Sequence, residues 1–512
     1  MLTQQLEINN LNILVIDDCT TSATLIKHQL ISLGVSASNV TCVHSAMQAV
    51  ATVKTRFYSF IIMDYHLSTK LTGLDLINLL VRAKLISDTT AVLMISGDAT
   101  QETVLTALTG RVRHFLTKPL QTKALRNKIL IALEEQHQLV NAERQLSKIN
   151  ELTLTEIVYL HKTYGQSVCV ESLLIDTAID SGKIDILEGL LAVCSKKDHA
   201  SRICAEAFLL HQKGQVTEAV KTLTNYVTHN PLCLRAIDNL VGLHESLHEY
   251  NNASVLALRA FELTPSSSSR LMTVSRILNK LGDTDKLFDV GSLFASSVSS
   301  SDPQWLSAMG AYIDAIIERF KNLKTSNDKR CVLLKLNGFY LLAEKRLDRN
   351  QHNDLIAFKR LMQCKLLIAE TNLEAAHKKL MLSLSNYYSQ PNKMPLFLLR
   401  QFIPLMEFFG EFEIQGELIA LSIKKSRIPL EKNDSHDSLR EPKTSLDYPY
   451  STEIKLKKLC TSNISETNCS INESIEFLTQ IPLPPNWSDW LADYLAGSSS
   501  QDLPEPFNFR MK

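Results

Sequence analysis

The 512-residue chain lacks several things at once, and each absence closes off a class of function. It has no excess of charge. Lys plus Arg number 54 and Asp plus Glu number 54, so nothing marks it as a general binder of nucleic acid or acidic membranes. It has no run approaching the ~18 apolar residues of a spanning helix. Its first residues, "MLTQQLEINNLN", lack the basic start and apolar middle of a secretory leader, so a cytoplasmic protein is expected. Ten cysteines are scattered without a C-x-x-C pair, which suits reduced thiols and offers no zinc framework in sequence. No Gly-rich phosphate loop, GGDEF-like or HD-GYP-like signature, or G-x-S-x-G is present, so the chain is expected not to be an enzyme.

What is present divides the chain in two. Over residues 11–135, five short apolar runs, "NILVID", "VTCVHS", "FIIMD", "AVLMIS" and "VRHFLTK", alternate with helical patterns. Those patterns cover Thr20 to Leu33, Ala46 to Lys54, Leu74 to Lys84, Thr100 to Thr109 and Thr122 to Glu135. The alternation predicts an α/β domain, a doubly wound five-stranded parallel sheet of flavodoxin-like type. Ligands of such sheets sit beyond the carboxyl ends of the strands. At those ends lie Asp17 and Asp18, Asp64, Ser96, and Lys118 followed by Pro119. A single aspartate there is ordinarily a turn former or helix cap. Three carboxylates, a hydroxyl and an ammonium on one rim are a different matter. The carboxylates would repel, a divalent cation would relieve them, and an all-oxygen donor set favours Mg²⁺ over zinc. Asp64 could then attack phosphorus as a nucleophile, with Lys118 and Ser96 holding the phosphoryl oxygens.

These residues, with "MISGD" and "FLTKPL", resemble the receiver domain of two-component response regulators over about a quarter of the chain. The resemblance implies that Asp64 is the phosphoacceptor. Asp17, Asp18, Asp64 and the backbone carbonyl of His66 would hold Mg²⁺, and Ser96 and Lys118 would bind the phosphoryl group. Ser96 and Phe115 would form the switch, and the Lys118–Pro119 bond would be cis. A histidine kinase or phosphotransfer protein would be the donor, and the protein would be bacterial. The chain departs from the family pattern at Ser68, where proline is usual, and in a loop to Gly73 about one residue longer. Phe115 also replaces the commoner tyrosine. Read without the resemblance, Phe115 is a buried strand aromatic.

Beyond Pro119 the helical pattern does not stop. Leu125, Ala132, Leu139 and Leu146 recur every seven residues, with Gln136 and Glu143 breaking the partner positions, so residues 136–165 read as a helical connector or solvated linker helix. An oligomer could form through it. From 166 to 427 almost no strand signal remains, and a 34-residue period appears. Gly214, His248 and Gly282 share it, as do Ala219, Ala253 and Leu287, and Pro231 and Pro265. This resembles the tetratricopeptide repeat and implies an all-α solenoid whose concave face takes an unidentified protein target. A purely structural helical domain is the alternative. "HESLH", His244 to His248, matches a zinc-protease pattern, but the repeat register puts His248 in a turn, off the helix face that chemistry needs. Residues 428–512 form a polar, proline-containing tail, expected to be largely disordered, with a short helix near 486–496 that either docks on a partner or folds back on the solenoid. The sequence thus predicts a response regulator with a helical-repeat output, with nucleic acid and membrane not expected as partners. A DNA-binding transcriptional regulator, with "EIKLKKLCTS" as its basic stretch, and a constitutive scaffold are the rival readings.

Overall fold

The computed structural model describes residues 8–67, 72–98, 100, 104, 112–149, 152–165, 167–194, 199–299, 301–426, 479 and 485–497. The loop at Ser68, most of the expected Thr100 to Thr109 helix and nearly all of the 428–484 tail lie outside them.

The N-terminal domain alternates strand and helix. It contains β1 (Ile13–Ile16), α1 (Thr20–Ser32), β2 (Val40–Val43), α2 (Ala46–Thr55), β3 (Phe60–Asp64), α3 (Gly73–Arg82), β4 (Ala91–Ser96) and β5 (His114–Thr117). All four strand pairings are parallel, in the order β2-β1-β3-β4-β5. Strand residues alternate between two cores, as a pleat of period two requires. Ile13, Val15, Phe60, Ile62, Leu93 and Ile95 face α1 and the Thr122–Leu146 helix. Leu14, Ile16, Ile61, Met63, Val92 and Met94 face α2 and α3. This two-sided burial explains why the strands read as unbroken apolar runs. Each fully buried aliphatic side chain contributes roughly 1.5–3 kcal/mol, which offsets the cost of burying carboxylates at the rim. Ser45 caps α2 by accepting from Gln48 N. Thr72 and Asp75 form a reciprocal capping box on α3.

The last helix of this domain runs unbroken for 25 residues, Thr122–Leu146. Its first half, Leu125, Ile129, Ala132 and Leu133, belongs to one sheet core. Its second half, Leu139 and Ala142, enters a separate core with Ile157, Leu160, Leu174, Leu187 and Leu190. Gln136, which breaks the heptad, sits at the changeover. It is buried, and its Nε2 donates to Asp88 O at 2.7 Å. The apolar seam is therefore covered within the chain.

From Leu154 onward the described residues form a series of helices, consistent with helical repeats. Their turns share one device. Gly182, Gly214, His248, Gly282, Thr371 and Gly410 all have positive φ directly after a helix, the left-handed termination that favours glycine. His248, at φ 59°, occupies the place held by Gly214 and Gly282 one period away. His244 is instead buried on its helix, with Nδ1 2.7 Å from Glu249 Oε2. The two histidines of "HESLH" thus do not share one continuous helix face.

By compactness the chain divides into Met1–Ala315 with Leu341–Asp348, and Ile316–Tyr340 with Arg349–Lys512. In the second unit, Phe339, Tyr340 and Phe358 form a chain of edge-to-face rings. His377 Nε2 meets the buried Glu411 Oε1 at 3.1 Å. Pro485–Leu495 is helical, with Trp490 and Tyr494 stacked at 5.3 Å between ring centroids.

Candidate functional site

The sheet order reverses direction at β1, whose two neighbours are β2 and β3. The crevice beyond their carboxyl ends is where ligands of open parallel sheets sit. Asp17 follows β1 immediately and is fully buried. Its Oδ1 accepts from Cys19 N at 3.0 Å and its Oδ2 from Ser22 Oγ at 2.6 Å. Those bonds fix the carboxylate against the first turn of α1. Asp64 is the last residue of β3 and is also buried. Asp18, the most accessible of the three, completes a group whose carboxylate oxygens lie within 4.8 Å of one another.

Lys118 closes the site from β5. Its Nζ donates to Asp17 Oδ2 at 2.8 Å and to Asp64 Oδ2 at 2.7 Å. Its backbone N donates to Ser96 O at 2.8 Å, and the Lys118–Pro119 peptide is cis. Ser96 is fully buried at the end of β4, and its Oγ accepts from Asp98 N at 3.0 Å. Among the described residues, Asp64 Oδ1 receives a long contact from His66 N, at 3.4 Å. The His66 ring is exposed and lies 3.7 Å from Asp98 Oδ2. Phe115 is half-buried and packs on the core beneath α2 and α3. The structure thus gathers Asp17, Asp18, Asp64 and Lys118 at one point, with Ser96 held to the Lys118 backbone and Phe115 on the neighbouring strand.

The electrostatics follow from the packing. Burial pushes Asp64 above the usual aspartate value. The Lys118 hydrogen bond and charge oppose this, while the Asp17 charge adds to it. Burial alone would lower Lys118, but its bonds to Asp17 and Asp64 outweigh that and hold it above its ordinary value. Two carboxylates thus share one ammonium while a third stands within 4.8 Å of both, so an added cation would be welcomed. The all-oxygen donor set suits a hard, oxygen-seeking ion.

Four supporting residues, Gly73, Asp75, Ser299 and Ser301, escape a reading of the sequence. Gly73 lies so close to β3 that an added Cβ would stand 2.1 Å from Asp64 O. Asp75 is buried, and its Oδ2 accepts from Thr72 N and Thr72 Oγ1 at 2.9 and 2.8 Å. Its Oδ1 accepts from Ser301 Oγ at 2.7 Å and from Ser299 Oγ. The T-x-x-D spacing announces the cap, but nothing local announces serines more than 220 residues away.

Residues 13–130 match the family model of the response regulator receiver domain. Two solved structures are similar. A CheY-like response regulator receiver domain protein from Methanospirillum hungatei JF-1 is 23% identical, with 25% of this chain and 95% of that one covered and a TM-score of 0.22. A response regulator protein from Burkholderia pseudomallei, solved with a phosphorylated aspartic acid, calcium ion and citrate, is 24% identical, with 36% and 93% covered and a TM-score of 0.22.

Proposed function

The chain carries a response regulator receiver domain, and from that premise we propose that it is a two-component signalling protein whose Asp64 accepts a phosphoryl group. The observation that supports this most is the junction of Asp64, Asp17 and Lys118 at the strand ends. A histidine kinase or phosphotransfer protein is the donor. An Asp64 carboxylate oxygen attacks the phosphorus of its phosphohistidine. The new P–O bond forms as the P–N bond breaks, and the electron pair returns to the donor imidazole. Receiver domains generally bind Mg²⁺ at this acidic pocket. Asp17, Asp18, Asp64 and the His66 carbonyl would hold it, and when bound it neutralises charge on the phosphoryl oxygens. Lys118 exchanges its bond to Asp64 for one to the phosphoryl group, Ser96 Oγ turns from Asp98 N toward the same oxygens, and Phe115 follows inward.

Two physical routes lead from the site to the helices. One is the Thr122–Leu146 helix, rooted in the sheet core at one end and in the next core at the other. The second runs from Asp64 through Gly73 and the α3 cap to Ser299 and Ser301. On this reading, phosphorylation alters how a tetratricopeptide-like array presents its surface to a protein target. The chain itself acts as a switch in the cytoplasm rather than as an enzyme. Among the described residues no helix is long and apolar enough to cross a membrane. The test is to mix the full chain with a ³²P-labelled phosphohistidine domain. Label should pass to wild type and not to Asp64→Ala; equal labelling of both would reject the assignment.

A further inference from the structure

Beyond the phosphoryl site, four side chains with metal-binding chemistry meet in the helical core beside the long helix. His161 lies on Leu154–Tyr164 and Glu171 on Val168–Asp180. Cys194 caps the end of Ile184–Val193, and His199 caps the start of Ala200–Gln212. The ligand atoms of His161, Glu171 and Cys194 lie within 4.8 Å of one another. Glu171 is 0% exposed, and His161 and Cys194 are also buried. A carboxylate so placed requires a compensating positive charge. The ion pairs it makes among the described residues are with the two histidines. His161 Nε2 lies 3.1 Å from its Oε1, and His199 Nε2 lies 2.8 Å from its Oε2.

The second of those contacts carries the argument. It is short, yet it is not a hydrogen bond, because Oε2 and His199 Nε2 both lack a correctly directed partner. The Glu171 carboxylate thus keeps an oxygen without a hydrogen bond in the group it forms with His161 and Cys194, and His199 stands against that oxygen as a neighbour outside the group. One thiolate, one imidazole and one carboxylate are donor types that zinc takes, and three protein ligands leave its fourth position to water or another group. The sulfur and nitrogen donors disfavour Mg²⁺ and Ca²⁺, which take oxygen.

We propose that His161, Glu171 and Cys194 bind one Zn²⁺ ion that staples together the three helices following the receiver's last helix, with His199 bracing the Glu171 carboxylate. Binding forms a zinc–sulfur bond as the Cys194 thiol releases its proton to solvent, with no change of oxidation state. The staple fixes the elbow at which the Thr122–Leu146 helix meets the first helix pairs, so it stiffens the output end of that helix. It does not depend on phosphorylation of Asp64.

The test uses the full chain, purified without added metal, for elemental analysis and then for Co²⁺ titration after chelation. Excess Mg²⁺ keeps the three-aspartate site occupied. The expected result is about one zinc per chain, and with cobalt a thiolate-to-metal charge-transfer band. Cys194→Ser should abolish the band, and His199→Gln should weaken cobalt binding by roughly 10- to 100-fold, the scale of losing a group that orients a ligand. Cys331→Ser, at an exposed cysteine, should change neither. Circular dichroism establishes that each variant is folded. Should Cys194→Ser not fold, wild type is decisive by itself, because chelation must lower its melting temperature and zinc must restore it. Folded wild type with no zinc above background and no charge-transfer band would overturn the proposal, as would a band retained in folded Cys194→Ser.

Discussion

Replacing both Ser299 and Ser301 by alanine should loosen the receiver from the helical segment it touches, and the size of the effect follows from the bonds lost. Asp75 is 5% exposed, and its Oδ1 is served by those two hydroxyls. A hydrogen bond to a charged group contributes about 1.5–3 kcal/mol, so the pair contributes about 3–6 kcal/mol if nothing relaxes. Relaxation does occur. Asp75 keeps its bonds from Thr72 on Oδ2, and once the segment parts, water reaches Oδ1. The lower end, about 3 kcal/mol, is therefore expected, equivalent to roughly a hundredfold in a local opening equilibrium at about 1.4 kcal/mol per decade. Hydrogen exchange resolved to peptides reads this directly. Amides of Gly73–Arg82 and of the segment around Ser301 should exchange roughly a hundredfold faster in the double variant. Ser296→Ala, whose hydroxyl only bonds back to Leu293 O, should leave them alone. Exchange of α3 unchanged in the double variant would refute the view that this contact holds the two regions together.

Three further outcomes are expected. Gly73→Ala places a methyl 2.1 Å from a backbone oxygen that cannot swing aside, so it should cost about 1–3 kcal/mol in urea unfolding and slow phosphorylation by displacing Asp64; wild-type behaviour would show that the loop absorbs the clash. Gly291→Ala meets the buried Tyr312 ring at 2.2 Å and should cost a similar ~1–3 kcal/mol without affecting phosphorylation. The hydrogen bond from His114, opposed by burial, holds Glu135 below the ordinary carboxylate range. Its stabilising contribution is therefore complete above the unfolded value of 4.5 and is lost as pH falls through the lower folded value. Thermal melts of wild type should lose stability relative to Glu135→Gln across that acid window, and parallel curves would contradict the assignment.

Much of this architecture was legible in the sequence, and the reasons are specific. Strands buried on both faces produce unbroken apolar runs, so Phe60–Asp64 and Ala91–Ser96 stand out with their terminal polar residues. The rim residues could be grouped because every strand of a parallel sheet ends on the same side. The 34-residue step was legible because a left-handed turn recurs at Gly214, His248 and Gly282. Other features depend on contacts that no local pattern encodes. Gln136 looked like a fault in a heptad, yet it bridges two cores by bonding Asp88 O. The Asp75 contacts join residues far apart in the chain, and the His161, Glu171, Cys194 and His199 cluster draws on four helices at spacings that match no metal motif. The expectation of no zinc framework considered neighbouring cysteines alone. It could not register Cys194 meeting His161 and Glu171 in space, with His199 against the same glutamate.

The most direct test of the central claim is to treat the full chain with a small-molecule phosphodonor and Mg²⁺ and to map the product by peptide mass spectrometry. The account predicts one phosphoryl group on Asp64, in the peptide containing Phe60–Asp64. It should be absent from Asp64→Asn and without Mg²⁺, and form much more slowly in Lys118→Gln. A folded wild-type protein that takes no phosphoryl group, or takes it elsewhere with Asp64 unmodified, would contradict the account.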